Sequence, residues 1–288
     1  MNTATTERSI VSAPTYKVAT QLDPPHRVLI AYRLVACATL AALFWKWSFF
    51  QGCDAIYVSF PVTDSFFPLW LQSVWTLRVA FVTTAASITM GAVTCNDITR
   101  KRGAVLALLG ATVLVIHQGS HNDMTFATAW WTSLWSVWLA FRLHRVNVLP
   151  VASRQAAQDA LLRRAAFVSR LILSMILLGG AVGKWTSEYW SGAVFYDIYF
   201  AERDFWVFNW LRGSFDEAAL REIAMWYSRK VVVLESVAGF GLWLLPAKYA
   251  AIAGVLIFTS IALLSNFLLF SVLLSLIGLA AVGFLVKR

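Results

Sequence analysis

Charged residues and cysteines are both scarce in this chain. Only 14% of its 288 residues are Asp, Glu, Lys or Arg, whereas a soluble globular domain averages about 25%. Together with a hydrophobic content of 59%, this deficit excludes an ordinary soluble domain. The three cysteines, Cys37, Cys53 and Cys95, lie far apart and lack the spacing of metal ligands. Since the topology derived below places Cys53 and Cys95 on opposite sides of a membrane, we expect no structural disulfide.

The chain also lacks a basic segment interleaved with aromatic residues in a soluble stretch. Its net charge of +9 is therefore better explained by cytoplasmic loops than by a nucleic-acid partner. No cleavable signal pattern is present, because the first apolar run is too long and has no small-residue cleavage site. We expect residues 1–27, a polar stretch that includes Pro14, Pro24 and Pro25, to form a mostly flexible cytoplasmic tail.

Apolar runs of roughly 17 to 25 residues recur along the rest of the chain, which is the length of a membrane-crossing helix. They predict an all-α fold: a polytopic transmembrane helical bundle of about eight spans, forming a single domain over residues 28–288. The first six predicted spans cover residues 28–47, 66–93, 103–117, 124–141, 165–184 and 231–245. Residues 249–288 are too long for one helix, so we divide them near Ser265–Asn266 into the last two spans.

Basic residues set the predicted orientation in the cell membrane. The connections after the second and fourth spans are rich in Arg and Lys, and the loop after the first span has neither. By the positive-inside rule, both termini are cytoplasmic. The turn at Gln118, Lys184 and residues 185–230 then face the external side.

Residues 185–230 mix acidic and basic side chains and predict an amphipathic helix on the membrane surface between spans five and six. Ser214 to Glu217 has the Ser-x-x-Glu form of a capping box. Apolar residues then recur at every fourth position, which is the spacing of one helix face: Phe215, Ala219, Ile223 and Tyr227.

The fifth span ends in a lysine among small residues and tryptophans. Desolvation disfavours the charged ammonium, and this is how a lysine becomes a usable base. A lysine that snorkels at a membrane boundary is the alternative interpretation of Lys184. Gly179 and Gly183 form a Gly-x-x-x-Gly pair, which predicts that another helix or a flat ligand approaches the backbone there.

Ionisable residues inside apolar spans are costly and usually face an interior cavity, so they are candidates for function. They are Arg33, Lys46, Arg78, His117, Lys184 and Glu235. For Glu235 two interpretations remain open: a carboxylate that orients a base or binds a polar ligand, and a buried structural pair with Arg78 or Arg33.

His117 and His121 flank a short polar turn, and their spacing of four would place both imidazoles on one helix face, as a metal site requires. Gly119 makes a continuous helix doubtful and no third ligand is evident, so we expect no metal. Local hydrogen bonding of the histidines is one alternative. A pocket shared by His121, Asn122 and Lys184 is another. Most of the tryptophans fit lipid-interface belts, but Trp185 and Trp190 are candidates to wall a pocket for a flat ring.

Two short segments resemble a known family. Gly180-Ala181-Val182-Gly183-Lys184, followed by Trp190-Ser191-Gly192-Ala193-Val194, is similar to the membrane core of vitamin K-dependent γ-glutamyl carboxylase and its bacterial relatives, the horizontally transferred transmembrane-domain (HTTM) family. His121-Asn122 before an apolar helix resembles the polar step of that family. The similarity is clearest over residues 115–245.

The resemblance implies a function. In the carboxylase, the lysine that matches Lys184 is the base that deprotonates vitamin K hydroquinone, and oxygen then converts the quinone into a strong base that abstracts a glutamate proton. This chain lacks the large soluble domain that binds a protein substrate, and its His precedes the Asn, whereas the family has the reverse order. These departures favour a pocket for a quinone or an isoprenoid-type lipid over carboxylation itself.

Two functions are therefore expected from the resemblance. One is a multi-pass membrane protein that binds a quinone or hydroquinone and acts in redox-linked modification. The other is a non-enzymatic membrane subunit for the maturation or export of a secreted peptide or protein. Under both functions the protein is expected to lie in the lipid bilayer. A secreted peptide or a redox protein is the expected further partner. The predicted site is one external-side pocket lined by Lys184, His121 and Glu235, because all three lie at a similar depth.

Overall fold

A computed structural model of the chain describes residues 27–59, 67–117, 119, 123–201, 203–264 and 269–287. Within these residues all regular structure is helical, which confirms the all-α prediction. The α-helices are, in chain order, α1 (Arg27–Trp45), α2 (Trp47–Ser59), α3 (Val74–Val93), α4 (Asp97–Ile116), α5 (Met124–Asn147), α6 (Val151–Gly183), α7 (Ser187–Trp190), α8 (Ala193–Phe195), α9 (Trp206–Ser214), α10 (Glu217–Leu244), α11 (Ala247–Leu264) and α12 (Phe270–Ala281). A π-helical turn, Tyr196–Ala201, follows α8, and a 3₁₀ turn, Val282–Leu285, follows α12.

Three helical stretches of the described chain are long and apolar enough to cross a membrane: Arg27–Ala55, Val74–Val93 and Val151–Gly183. Two further apolar helices, Ala247–Leu263 and Phe270–Leu285, are shorter. Eight spans are thus not supported by length and composition. The predicted third, fourth and sixth spans are helical, but each helix carries charged residues, for example Arg100 in the first turn of α4 and Lys230 in the middle of α10. The predicted division near Ser265–Asn266 lies outside the described residues.

The basic connection expected over residues 142–164 is mostly helical. Helix α5 continues to Asn147, and α6 begins at Val151 with Pro150 as its N-cap residue. Proline suits a helix start and disfavours helical backbone in the residue before it, so the chain breaks at this point. As a result α6 has 33 residues, which at 1.5 Å per residue is about 50 Å, well beyond the roughly 30 Å of a bilayer core.

The predicted interfacial helix is the first part of α10, and the capping prediction was wrong. Ser214 is the last residue of α9, and Asp216 is the N-cap of α10, where its carboxylate accepts a hydrogen bond from the Ala219 amide at 2.8 Å. The backbone of Phe215 is extended and separates the two helices. Helix α10 then runs without interruption through the predicted sixth span to Leu244.

Helix α1 lies at the centre of the bundle and packs against α3, α5, α6 and α12. Its buried residues belong to two hydrophobic clusters, one with α5, α6 and α12 and one with α3 and α4. At Lys46 the helix breaks and α2 begins. Lys46 Nζ contacts Asp123 Oδ2 at 2.6 Å, so this ion pair joins the break to the start of α5.

Helices α6 and α10 pack against each other, but not through the predicted glycine pair. A Cβ added at Gly179 or at Gly183 would meet no heavy atom within 4 Å, so these glycines face open space. The close approach is at Gly239 of α10, where a Cβ would lie 2.7 Å from the side chain of Leu178. Ser174 Oγ donates a hydrogen bond to the Gly239 carbonyl at 2.6 Å and fixes the crossing.

Large apolar side chains cover much of the outer surface of the bundle. The exposed fractions reach 85% at Leu244, 77% at Phe44 and 71% at Trp75. Water would make apolar exposure on this scale unfavourable, whereas lipid tails would not. The surface therefore agrees with the presence of membrane-crossing helices.

A cavity beside the Lys184–Glu235 pair

The candidate site forms where the chain leaves α6 and returns through α10. Lys184 is the C-cap residue of α6, after which α7, α8 and the π-helical turn lie against α10. Gly192 makes this possible, because its φ is +81° and a side chain there would overlap the backbone of Met225. Ser228 Oγ donates to the Tyr189 carbonyl at 2.5 Å, so the start of the segment is pinned to α10.

Lys184 and Glu235 form an ion pair at this point. Lys184 Nζ donates a hydrogen bond to Glu235 Oε1. The lysine side chain is 26% exposed and the glutamate side chain 13% exposed. Glu235 Oε2 is buried and has no hydrogen-bond partner among the described residues. The pair thus leaves one carboxylate oxygen free to accept a hydrogen bond.

A cavity of about 330 Å³ opens beside this pair. Its polar side chains besides the pair are Tyr189, Tyr199, Tyr227 and Ser228, and its apolar residues are Val194, Phe195, Ile198, Val231, Ile261 and Leu269. The ring of Phe195 lies 4.5 Å, centroid to centroid, from the rings of both Tyr199 and Tyr227. The space is therefore mostly apolar and aromatic, with charge at the Lys184–Glu235 pair, which is the usual character of a small-molecule pocket.

Burial disfavours ionisation of two of the tyrosines. Burial raises the pKa of Tyr199, and the nearby Arg203 guanidinium opposes this effect. Burial also raises the pKa of Tyr227, and Tyr199 adds to the rise. At physiological pH both side chains are uncharged phenols, which line the cavity with aromatic surface.

The structure brings together two of the three residues predicted to form the pocket, Lys184 and Glu235. His121 and Asn122 lie outside the described residues. Arg78, considered as a partner of Glu235, instead contacts Asp54 Oδ2 at 2.8 Å. Arg33 donates to the Ala92 carbonyl at 2.9 Å. The partner of Glu235 is therefore the lysine, and neither arginine.

The other proposed pocket residues lie elsewhere. His117 is buried at the end of α4, where its Nδ1 accepts a hydrogen bond from the Gly119 amide at 3.1 Å. Its Nε2 then carries the proton and donates to the Ser73 carbonyl at 3.0 Å. Trp185 and Trp190 stack on each other with centroids 5.0 Å apart and are not among the residues that line the cavity. Within the described residues no group of three or more His, Cys, Asp or Glu side chains is placed to hold a metal ion.

Sequence reasoning missed the tyrosines that form the cavity wall. Tyr227 was recognised only as part of an apolar helix face, and that face is centred one residue later, on the buried residues Leu220, Ala224 and Ser228. Tyr189 and Tyr199 lie in short helical turns that have no strong sequence pattern. The high aromatic content of residues 189–208 is the signal that could have indicated a pocket.

The chain was compared with known protein families, with curated proteins and with solved structures, and nothing matches in any of the three comparisons.

Proposed function

We propose that this protein is an integral membrane protein that binds the head group of a quinone-type or similar isoprenoid lipid and takes part in redox-linked modification. The observation that carries the proposal is the Lys184–Glu235 ion pair beside an aromatic-walled cavity of about 330 Å³. A flat ring suits the aromatic walls, and the paired charges suit its polar substituents.

The membrane part of the proposal goes beyond the three long apolar stretches. We place α4, α5, α10, α11 and α12 across the bilayer beside them, which gives eight crossings with both termini cytoplasmic. Support comes from packing, because α4 lies between α3 and α5, and α10 lies along α6. The positive-inside rule supports the orientation.

The hydrogen-bonding groups of the site favour one form of the ligand. Glu235 Oε2 accepts only, and Lys184 has three ammonium hydrogens, of which one is bound to Glu235. A hydroxyl group both donates and accepts, so it would satisfy the free carboxylate oxygen and the ammonium together. A quinone carbonyl only accepts and would leave the buried carboxylate oxygen without a donor, which is unfavourable. We therefore expect the hydroquinone form to bind more tightly.

Gly180 faces the pair, and a Cβ there would lie 3.4 Å from Glu235 Oε2 and 3.9 Å from Lys184 Nζ. Helix α6 therefore packs closely against the pair, and the ligand hydroxyl would have to reach it from the cavity that both residues line. When bound, a hydroquinone would supply two electrons and two protons. Glu235 would accept the proton of its hydroxyl, and the Lys184 ammonium would stabilise the hydroquinone anion that remains. The aromatic walls would keep water away from the hydroxyl.

Native mass spectrometry of gently purified protein, with extraction of the retained lipids, tests the proposal. The wild type should retain a quinone or isoprenoid lipid. The double variant Lys184→Met with Glu235→Leu should lose it, because both polar groups are gone. Arg78→Gln is the matched control, since it breaks an ion pair elsewhere in the bundle and should retain the lipid.

A titration with a decyl-tailed benzohydroquinone and the matching benzoquinone separates the two ligand forms. The hydroquinone should bind about tenfold more tightly, the ratio expected when one buried acceptor gains or lacks a donor. Absence of any quinone or isoprenoid lipid from the wild type, together with no binding of either probe, would overturn the proposal.

A further inference from the structure

Arg229 lies on α10 next to the cavity residue Ser228, between two tryptophan rings. Its guanidinium carbon is 5.7 Å from the ring centroid of Trp190 and 5.6 Å from that of Trp226. Its Nε donates a hydrogen bond to the Trp190 carbonyl at 3.0 Å. Trp185 stacks on the Trp190 ring. The arginine is therefore held by the Nε hydrogen bond and by two ring contacts, and its Nη groups make no hydrogen bond within the described residues.

The charge of Arg229 is not balanced by a carboxylate of the described residues. Two other arginines of this segment make such contacts. Arg221, two turns earlier on α10, is 2.8 Å from Glu217 Oε1, and Arg212 donates to the carbonyls of Phe200 and Arg203. A guanidinium fork held between aromatic rings and lacking a counter-ion is arranged to receive an anion with two oxygens.

The position of the arginine indicates which anion this is. Arg229 precedes the apolar part of α10 and contacts Trp190, and Trp185 follows the end of α6, so both lie where α10 extends past the last turn of α6. Trp185 is 59% exposed and Trp226 is 53% exposed. Tryptophans at the end of membrane-crossing helices lie at the level of the lipid head groups. The ligand available at that depth is the phosphodiester of a membrane phospholipid.

We propose that Arg229, with Trp226 and Trp190, is a binding site for the phosphate of a phospholipid in the outer leaflet. The Nη groups donate to two phosphate oxygens, and the tryptophans contact the glycerol and the upper acyl chains. This site depends on the membrane location of the bundle but not on what the cavity binds. A lipid held here stands beside α10, the helix that also supplies Glu235.

Native mass spectrometry with added lipid tests the site. Detergent-purified protein is titrated with phosphatidylglycerol, and with diacylglycerol that has the same acyl chains and no phosphate. The first phosphatidylglycerol should bind to the wild type at least about tenfold more tightly than to Arg229→Gln, as expected for the loss of charge-assisted hydrogen bonds. Diacylglycerol should show no difference between the two proteins.

Two further variants separate lipid binding from a structural role. Trp226→Ala leaves the hydrogen bonds of Arg229 and Ser228 to the backbone of α7 in place. It should still weaken binding of the first lipid. Arg221→Gln removes an equal charge from the same helix and should bind within about twofold of the wild type, as surface charge alone is worth little. The proposal is overturned if Arg229→Gln binds the first lipid as tightly as the wild type, or if Arg221→Gln weakens lipid binding as much as Arg229→Gln does. It is also overturned if Trp226→Ala binds the lipid like the wild type, or if millimolar inorganic phosphate displaces the lipid.

Discussion

Glu235 has one oxygen bound to Lys184 and the other buried without a partner among the described residues. This asymmetry is informative, because a carboxylate retained only to neutralise a lysine would usually have both oxygens satisfied. A free buried acceptor is costly to the folded protein in the absence of a ligand. The arrangement therefore fits a binding role better than a purely structural one.

Substitutions at Glu235 should lower the stability of the protein to different extents. Glu235→Ala leaves the Lys184 ammonium half-buried without its carboxylate, and should lower the free energy of unfolding by about 1–3 kcal/mol. Glu235→Gln keeps an acceptor and should cost less. The double variant Lys184→Met with Glu235→Leu should recover most of the loss, because replacing both partners by apolar residues is often neutral. Thermal unfolding in detergent measures all three, and equal losses for Glu235→Ala and Glu235→Gln would contradict this account.

The cavity tyrosines should make stability depend on alkaline pH. Because burial raises the pKa of Tyr199 and Tyr227, the unfolded chain loses these protons first as the pH rises above about 10. Their contribution to stability is fully present below that pH and is lost as the pH rises through the folded-state pKa. Tyr199→Phe and Tyr227→Phe should each flatten the decline in unfolding temperature above pH 10. A decline unchanged in both variants would show that these phenols are not protected by the cavity.

At the scale of the elements, the crossing of α6 and α10 decides where the ion pair forms. The helices approach most closely at Gly239, four residues after Glu235, which is one turn of the helix. Leu178 and Ser174 occupy the facing positions on α6. The register set there brings Glu235 opposite Gly180 and within reach of Lys184.

Alanine substitutions in the two helices should test this crossing. Gly239→Ala places a methyl group 2.7 Å from Leu178 and should destabilise the protein by about 1–3 kcal/mol, the usual cost of overpacking. Gly241→Ala is the matched control on the same helix, since a Cβ there meets nothing within 4 Å. Gly179→Ala should be neutral or stabilising by up to about 1 kcal/mol through helix propensity. If Gly179→Ala unfolds at a lower temperature than Gly239→Ala, the result would instead support the Gly-x-x-x-Gly interpretation.

At the scale of the whole molecule, the bundle has long helices that extend past one another. Helix α6 is longer than a bilayer requires at its basic start, and the first part of α10 continues past the end of α6. The extension of α10 packs through Leu220 and Ala224 into a small hydrophobic cluster with Phe200 and Phe208. The candidate cavity lies beside this cluster, because Phe195 and Tyr199 belong to both.

Cysteine labelling in intact cells should test the proposed crossings. A single cysteine is placed at four exposed positions in a background without the others: native Cys95, Met124→Cys, Val148→Cys and Glu188→Cys. A membrane-impermeant maleimide should label Met124→Cys and Glu188→Cys directly, and Cys95 and Val148→Cys only after permeabilisation. If α4 does not cross, Cys95 and Met124→Cys will report the same side, and if α5 does not cross, Met124→Cys and Val148→Cys will do so. Either result contradicts the eight-crossing proposal.

The sequence by itself determined the helical class, the positions of most helices, and the placement of Lys184 at a helix end and Glu235 within a helix. These features follow from local periodicity and from charged residues within apolar runs, and both can be identified in the sequence without the structure. The ends of helices were less well predicted, as at Val151 and Asp216. Charged residues do not mark a helix end reliably, because a helix that packs against its neighbours can continue through them.

Only the tertiary structure decided which groups meet. The choice of Lys184 rather than Arg78 as the partner of Glu235, and of Gly239 rather than Gly179 as the point of close approach, depends on the register between α6 and α10. That register is set by side-chain packing between segments about 60 residues apart, and it cannot be predicted from the local sequence pattern. The tyrosine wall arises in the same way, because Tyr199 and Tyr227 become neighbours only when the positive φ of Gly192 lets the chain turn back onto α10.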